Sequence, residues 1–360
     1  MPLILGLETS CDETAAAVVR DGCEVLSSVV ATQHDLHVRY AGVVPEIASR
    51  AHVERLLPVI DDTLAAAGLE LPGVDAVAVG HRPGLVGSLI VGVAAAKALA
   101  WSLGKPLIGV DHVHAHLHAA ALRSPQEASP TIEFPAIGLV VSGGHTSLYR
   151  MDSPSDLTVL GRTVDDAVGE AYDKAAVILD AGYPGGPALD RLAQSGDPDA
   201  EDVPDLPVSM LDGESLDFSF SGLKTALLYA VRGRPVGRGK AATFERDASD
   251  LSPKRRADLA AAFQRAAVDA LIRKLRRACG RLADTENAPR SIVLGGGVSA
   301  NSRLRQRIAT LGEELGVPVH LPAMAYCVDN AAMIAGHADA LLRRGETAGL
   351  DLPVVATTRG

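Results

Sequence analysis

The chain has 360 residues, 47% of them hydrophobic, which is enough for a sizeable core and more than a single core usually holds, so two lobes are expected. Aromatic residues make up only 3% while small aliphatics and glycine abound, a composition suited to helices packed closely on sheets and hence to an α/β fold. The formal charge of −10 at pH 7 excludes a protein that coats nucleic acid by bulk attraction, and the four cysteines, Cys11, Cys23, Cys279 and Cys327, form no C-x-x-C pair, which excludes a disulfide framework or a thiolate zinc site and fits a reducing cytoplasm.

The opening "MPLILGLETS" has no basic leader and no small-residue cleavage site, so it reads as a buried first strand rather than a signal peptide. Three short strands are predicted, "LILGLET", "TAAAVVR" and "CEVLSSVV", separated by polar turns at Ser10, Asp12, Asp21 and Gly22. A helix follows from Pro45 to Gly68, with proline and glycine at the ends where helices favour them. Next come a strand "VDAVAVG", a helix in "GLVGSLIVGVAAAKALAWSLG" and a strand "PLIGV". That apolar helix is glycine-rich and interrupted by Lys97, so it is read as packed in a globular fold, and no membrane segment is expected.

The segment "GVDHVHAHLHAA" then places His112, His114, His116 and His118 at alternate positions. As a strand it would put all four on one face. Asp111 is a plausible N-cap after the strand end Gly109–Val110, which favours a helix, and on a helix neighbours four apart differ by only ~40°. His112 then shares a face with His116, and His114 shares nearly the opposite face with His118. Spacing alone cannot choose between these pairs as metal ligands. The residues between His112 and His116 include no glutamate, so the H-E-x-x-H arrangement of zinc proteases is absent.

After the linker "RSPQEASPTIE" the chain restarts: "FPAIGLVVSGGHTSLYRMD" repeats the strand, polar turn, strand plan of the N-terminus, an internal duplication. A low-apolar stretch at about 194–258 reads as an insertion. It is followed by a strand running into the turn "GGGVSANSR" and a helix, then "VPVHLP" and a last helix from about Asp329. Two basic stretches, 232–240 and 273–281, are solvated faces or contacts for a short RNA. The expected lobes are residues 1–122 and 134–360. Paired hairpin turns facing each other across a cleft would offer backbone N–H groups to phosphates, and a triple-glycine turn would admit an adenine ring, the arrangement of the sugar kinase, actin and heat-shock chaperone superfold.

The stretches "LGLETSCDET", "VVPEIASRAH", "HVHAH", "VSGGHTSL", "VDDAVGEAYDKAA", "YPGGPALDRLA", "FSFSGLKTA", "GGGVSANSRLR" and "YCVDNAAMIA" span nearly the whole chain. In this order they resemble the tRNA threonylcarbamoyladenosine transferases of the TsaD type, once called O-sialoglycoprotein endopeptidases. The resemblance implies an actin-like ATPase fold and transfer of a threonylcarbamoyl group from threonylcarbamoyl-adenylate to N6 of adenosine 37, beside the anticodon, in tRNAs that read codons beginning with A, with release of AMP. It implies one divalent metal per subunit, Fe2+ before Zn2+, held by His112, His116 and Asp329. It further implies an adenylate- or ATP-type nucleotide in the cleft, with substrate contacts from Val140, Val141, Ser142, Gly143, Gly144, Asp173, Gly186, Asp190 and Asn301, and partners of the TsaB and TsaE type. Ser10, Asp12 and Glu13 stand where the first phosphate turn of the superfold would lie. The general base is not legible. His114 and His118 become packing or solvent residues, and Lys174 is either a phosphate contact or a partner of Asp173. Departures from the family pattern are Asp111 before His112, His114 where an acidic residue is common, a longer loop from Arg232 to Pro253, and Arg82 in "GHRPGL", where glycine is usual, which puts that loop's conformation in doubt. A small-molecule kinase and a non-catalytic scaffold are the alternatives on the same fold.

Overall fold

In the computed structural model, which describes residues 1–37, 40, 42–128, 131–208, 213–237 and 243–357, the first strands follow from uninterrupted apolar runs. Strands β1 (Leu3–Glu8), β2 (Glu13–Arg20) and β3 (Glu24–Thr32) form an antiparallel meander whose first two members are buried on both faces. Short helix α1 (His34–His37) leads to α2 (Pro45–Ala67), which begins at proline and stops at Gly68 in the left-handed conformation. Strand β4 (Ala76–Arg82), helix α3 (Val86–Leu103) and strand β5 (Leu107–Asp111) complete a sheet of order β3-β2-β1-β4-β5, with β4 and β5 parallel to β1. Helix α3 is long and apolar enough to cross a membrane, yet Leu89, Val93, Ala96 and Ala100 are buried along one stripe, and the helix packs on β4 and α2.

Helix α4 (His112–His118) then carries the chain to β6 (Ala136–Val141), β7 (Thr146–Ser153) and β8 (Asp156–Arg162), a second meander. Helices α5 (Val168–Leu179), α6 (Gly185–Gln194), α7 (Ser221–Arg232) and α8 (Pro253–Leu282) precede β9 (Ser291–Gly295), α9 (Ser302–Leu315) and β10 (Val319–His320). The second sheet has the order β8-β7-β6-β9-β10, with β9 parallel to β6 and β10 parallel to β9. Renumbered from its own first strand, this is the order of the first sheet, so the duplication read from the sequence is a duplication of topology. The expected insertion holds α7 and the start of α8; its residues 209–212 and 238–242, the latter including part of the first basic stretch, lie outside the described residues. The second basic stretch lies on α8, where Lys274 and Arg277 donate to the Ser215 carbonyl and Arg276 and Arg281 form exposed ion pairs with Glu314 and Glu214.

One arrangement departs from a simple division at residues 122 and 134. Helix α10 (Ala331–Arg343) packs on β1, β2, β4 and β5 of the first sheet, and the tail follows it: Val355 N donates to the His81 carbonyl and Leu352 rests on Gly109. The chain therefore returns to its first lobe, because an apolar face of the first sheet needs cover that α2 and α3, on the other face, cannot give. Helix α4 sits between the sheets, with Ala115 in a core with α10 and Val113 and Leu117 in a core with Ala136, Val140 and Val293.

Candidate active site

Helix α4 starts where β5 ends because Asp111 caps it, its carboxylate accepting from the amides of Val113 at 3.0 Å and His114 at 3.3 Å. Arg82, whose place in the loop raised doubt, donates from Nε to the second carboxylate oxygen of Asp111 at 3.1 Å and so braces the cap. His118 donates to the carbonyl of Gly22 at 2.7 Å, and the ring of His114 lies edge-on to Tyr149 at 5.5 Å and near His337 of α10 at 6.4 Å. These two histidines are part-buried and pack against neighbouring rings and backbone, and His114 also lines an open cavity of about 570 Å3 with residues of β8.

The other face carries His112 and His116, buried, with rings 4.7 Å apart and nearly perpendicular. Nε2 of each lies 3.4 Å from Oδ1 of Asp329. The donor atoms of this trio all lie within 4.8 Å of one another, the one such group of histidine, cysteine or carboxylate side chains among the described residues. Edges near 3.4 Å are those of a tetrahedral shell around an ion bound at ~2.1 Å. Nε2 of His116, buried and with no well-formed hydrogen bond besides its approach to Asp329, is an atom that a bound ion would satisfy. Asp329 is not the N-cap of α10: Asn330 takes that place, its Oδ1 accepting from Met333 N at 2.9 Å, and this leaves the aspartate facing the histidines. Burial opposes ionisation of Asp329, yet His112 beside it holds the carboxyl well below its usual range.

Two residues of the site escaped sequence reasoning. Glu8, fully buried at the end of β1, has Oε2 at 3.0 Å from Nδ1 of His112 and accepts the Ser10 amide on Oε1 at 2.5 Å. His145, at the end of "VSGGH", is pulled down to about 4 by burial, with His112 and His116 adding to the effect. Of the first turn, Glu13 is pushed up to about 9, chiefly by burial and then by Asp329, Asp12 and Glu8.

The remaining predicted residues divide. Val140 and Val141 have side chains wholly in the core, so any ligand contact from them is through backbone. Ser142 closes the hairpin, its Oγ accepting the His145 amide at 3.1 Å, while Gly143 and Gly144 face open space. Asp173 on α5 accepts the Gly186 amide at 3.2 Å, and burial pushes its carboxyl up. Asp190 and Asn301 meet directly: Asn301 caps α9 through Leu304 N and donates to Asp190 at 3.2 Å and to Gln264 at 2.9 Å. Lys174 pairs with Asp166 and Glu170 rather than with Asp173. A cavity of about 720 Å3 opens beside Asp173, Gly185 and Tyr183, and a smaller one of about 270 Å3 lies against Val113, Gly144, His145 and Arg162.

The buried imidazoles set an acid response. Burial lowers His114, His118 and His337 as well as His145. A histidine lowered in the fold contributes stability that is fully present above its unfolded pKa of ~6.5 and is lost as pH falls toward the folded value; for His145 that window runs from ~6.5 to about 4. His112 acts in the opposite sense: burial alone would lower it, but Asp329 and Glu8 hold it well above its usual range. The lowered group is larger, so Tm of the metal-free protein is expected to drop by several degrees between pH 7 and pH 5, and His337→Asn should flatten that slope. A Tm unchanged over this interval, read by differential scanning fluorimetry, would contradict the assignment.

A two-lobed α/β protein of the actin-like class, with two buried histidines and a part-buried carboxylate gathered where helix α4 leaves β5, is what the fold and the site define. The model of the TsaD family, described as tRNA N6-adenosine threonylcarbamoyltransferase, matches residues 24–336. A relative bearing that name from Anaeromyxobacter dehalogenans (strain 2CP-1) is 51% identical over 98% of both chains, and one from Symbiobacterium thermophilum is 49% identical over 98% of this chain and 95% of its own. Among solved structures, HypF of T. kodakarensis is similar in fold, with a TM-score of 0.59 at 16% identity, covering 98% of this chain and 48% of that one. The chain belongs to the TsaD family of tRNA N6-adenosine threonylcarbamoyltransferases and is a transferase of tRNA modification.

Proposed function

We propose that the cleft joins threonylcarbamoyl-adenylate to N6 of adenosine 37 in tRNAs that read codons beginning with A. The N6 nitrogen attacks the carbamoyl carbon, the bond from that carbon to the phosphate oxygen breaks, AMP leaves and N6 gives up a proton. The observation that carries this reading is the meeting of His112, His116 and Asp329 beside the turn from Ser142 to His145, in a chain 51% identical to a named transferase.

His112, His116 and Asp329 would hold one divalent metal, Fe2+ ahead of Zn2+, and three protein ligands leave room for substrate. When bound it would supply Lewis-acid polarisation of the transferred group. Everything else falls to the chain. An exocyclic adenine amine is a poor nucleophile and the donor is already an activated anhydride, so positioning and charge stabilisation make up most of the catalytic work. The open backbone of Gly143 and Gly144, with the Ser142 hydroxyl, is suited to hold the carbamoyl oxygen. Asp173 and Asp190 would accept ribose or adenine donors. Asn301 has its side-chain amide committed to Leu304, Asp190 and Gln264, so its part is to fix Asp190. The cavity of about 720 Å3 at Asp173 and Gly185 has room for a nucleotide.

The second basic stretch is occupied with hydrogen bonds and ion pairs within the chain, which favours partners that help to hold tRNA in the cytoplasm. Val53 and Leu57 of α2 are 65% and 63% exposed, and Ile90 and Trp101 of α3 are 51% and 75% exposed, an apolar face suited to a TsaB-type protein; TsaE is the other partner proposed. The test is mass analysis of tRNA nucleosides after incubating the chain and both partners with tRNA, threonine, bicarbonate, ATP and an adenylate-forming enzyme. Threonylcarbamoyladenosine should appear with the wild type and fall at least about tenfold with Trp101→Glu, through lost association worth ~1.4 kcal/mol or more. No product with the wild type would overturn the function, and undiminished product with the variant would overturn the docking face.

A further inference from the structure

We infer that Glu8 is a positioning residue that sets the tautomer and ring orientation of His112 for metal binding, an inference that rests on the metal reading above. Glu8 ends a strand whose neighbours are aliphatic and is itself 0% exposed. A carboxylate in such a place is costly unless its oxygens are occupied. Both are: Oε1 takes the Ser10 amide and Oε2 lies 3.0 Å from Nδ1 of His112. A carboxylate only accepts, so Nδ1, which also has the Ser10 hydroxyl at 3.3 Å, keeps its proton towards Glu8, and Nε2, the atom 3.4 Å from Asp329, is the nitrogen left for a metal. The slot is made by the neighbouring strand: a Cβ at Gly80 would stand 2.6 Å from Oε2 of Glu8, so glycine there leaves room for the carboxylate. His116 has no such partner on its own Nδ1. The two rings are therefore unequal, His112 held on both nitrogens and His116 only through its Nε2 and helix packing. Together the carboxylates of Asp329 and Glu8 match the charge of a divalent ion in a buried site.

Histidine ligands held by a carboxylate lose ~10–100-fold in metal affinity when that carboxylate is changed. Glu8→Gln keeps the shape but has one oxygen for two donors, the Ser10 amide and His112 Nδ1. Titration of the metal-free chain with Co2+, followed by its visible absorption, should give one site in the wild type and an affinity weaker by about 10–100-fold in Glu8→Gln. Proton NMR of the Co2+ form adds a readout that a merely structural role would not move: the His112 Nδ1–H resonance, slow to exchange in the wild type, should broaden or vanish in the variant while that of His116 is unchanged. Gly80→Ala, which crowds the carboxylate from behind, should weaken Co2+ binding in the same direction and serves if Glu8→Gln fails to fold. Equal Co2+ affinity and an unchanged Nδ1–H signal in a folded Glu8→Gln chain would overturn the role of Glu8 alone. A wild type that takes up no Co2+ would overturn the metal reading and this inference with it.

Discussion

Replacing His112 with alanine is expected to leave the purified chain without stoichiometric metal and to cut tRNA modification by at least about 100-fold, the upper end of what loss of a mere supporting contact costs. The trio has only three donors, and removing one leaves His116 and Asp329 as a pair from distant segments. The same change strands the Glu8 carboxylate without its imidazole partner. A buried carboxylate left without its charged partner costs ~3–5 kcal/mol, and a domain with ~5–15 kcal/mol in hand can survive that. The fold should therefore persist, and circular dichroism with a thermal scan shows whether it has. His114→Ala is the counterpart: that ring packs on Tyr149 and towards His337, so metal content should hold at the wild-type level even where Tm falls. Metal analysis after dialysis, paired with nucleoside mass analysis, decides the matter. Metal retained at one per chain in His112→Ala, or lost in a folded His114→Ala, would reverse the assignment of faces.

That assignment was half legible in the sequence. Helical periodicity splits the four histidines into two pairs, and Asp111 as N-cap says where the helix begins; both hold in the structure. Choosing between the pairs took the family resemblance, because either face of an isolated helix would serve. In the structure the His114 and His118 face of α4 meets α10, a helix that sequence order assigns to the second lobe, while His112 and His116 meet Asp329. The return of α10 to the first sheet rests on contacts between residues about 220 to 330 positions apart, which no local pattern encodes. Glu8 was hidden for the same reason. In sequence it is a polar residue entering a turn, and only the pairing of β1 with β4, and of β4 with β5, sets it behind His112. Arg82 illustrates the converse, since a side chain that looked like a disturbance of its loop braces the cap of the histidine helix.

Gly295→Ala is expected to cost ~1–3 kcal/mol in folding stability and at least about tenfold in metal affinity, although the residue touches no ligand. Gly295 ends β9, paired beside Val140, where α4 crosses the second sheet. A Cβ there would stand 2.2 Å from the carbonyl oxygen of His116 and 2.5 Å from its carbonyl carbon. Both are backbone atoms, so no rotamer change relieves the contact, and either β9 or α4 must move. Strand β9 is hydrogen-bonded on both sides, to β6 and β10, whereas α4 is a seven-residue helix held by side-chain packing. The helix is the softer element and should yield. Its shift would carry His116 away from Asp329, which arrives on a separate connection ahead of α10 and does not follow. Gly297→Ala, where an added Cβ meets nothing within 4 Å, provides the comparison and should leave stability within ~0.5 kcal/mol of the wild type. Chemical denaturation and Co2+ titration of both variants test the argument. A Gly295→Ala chain as stable as the wild type and equal in Co2+ affinity would mean that α4 and β9 have slack that their packing does not show, and that the geometry of His116 is set by something other than the close approach of strand to helix.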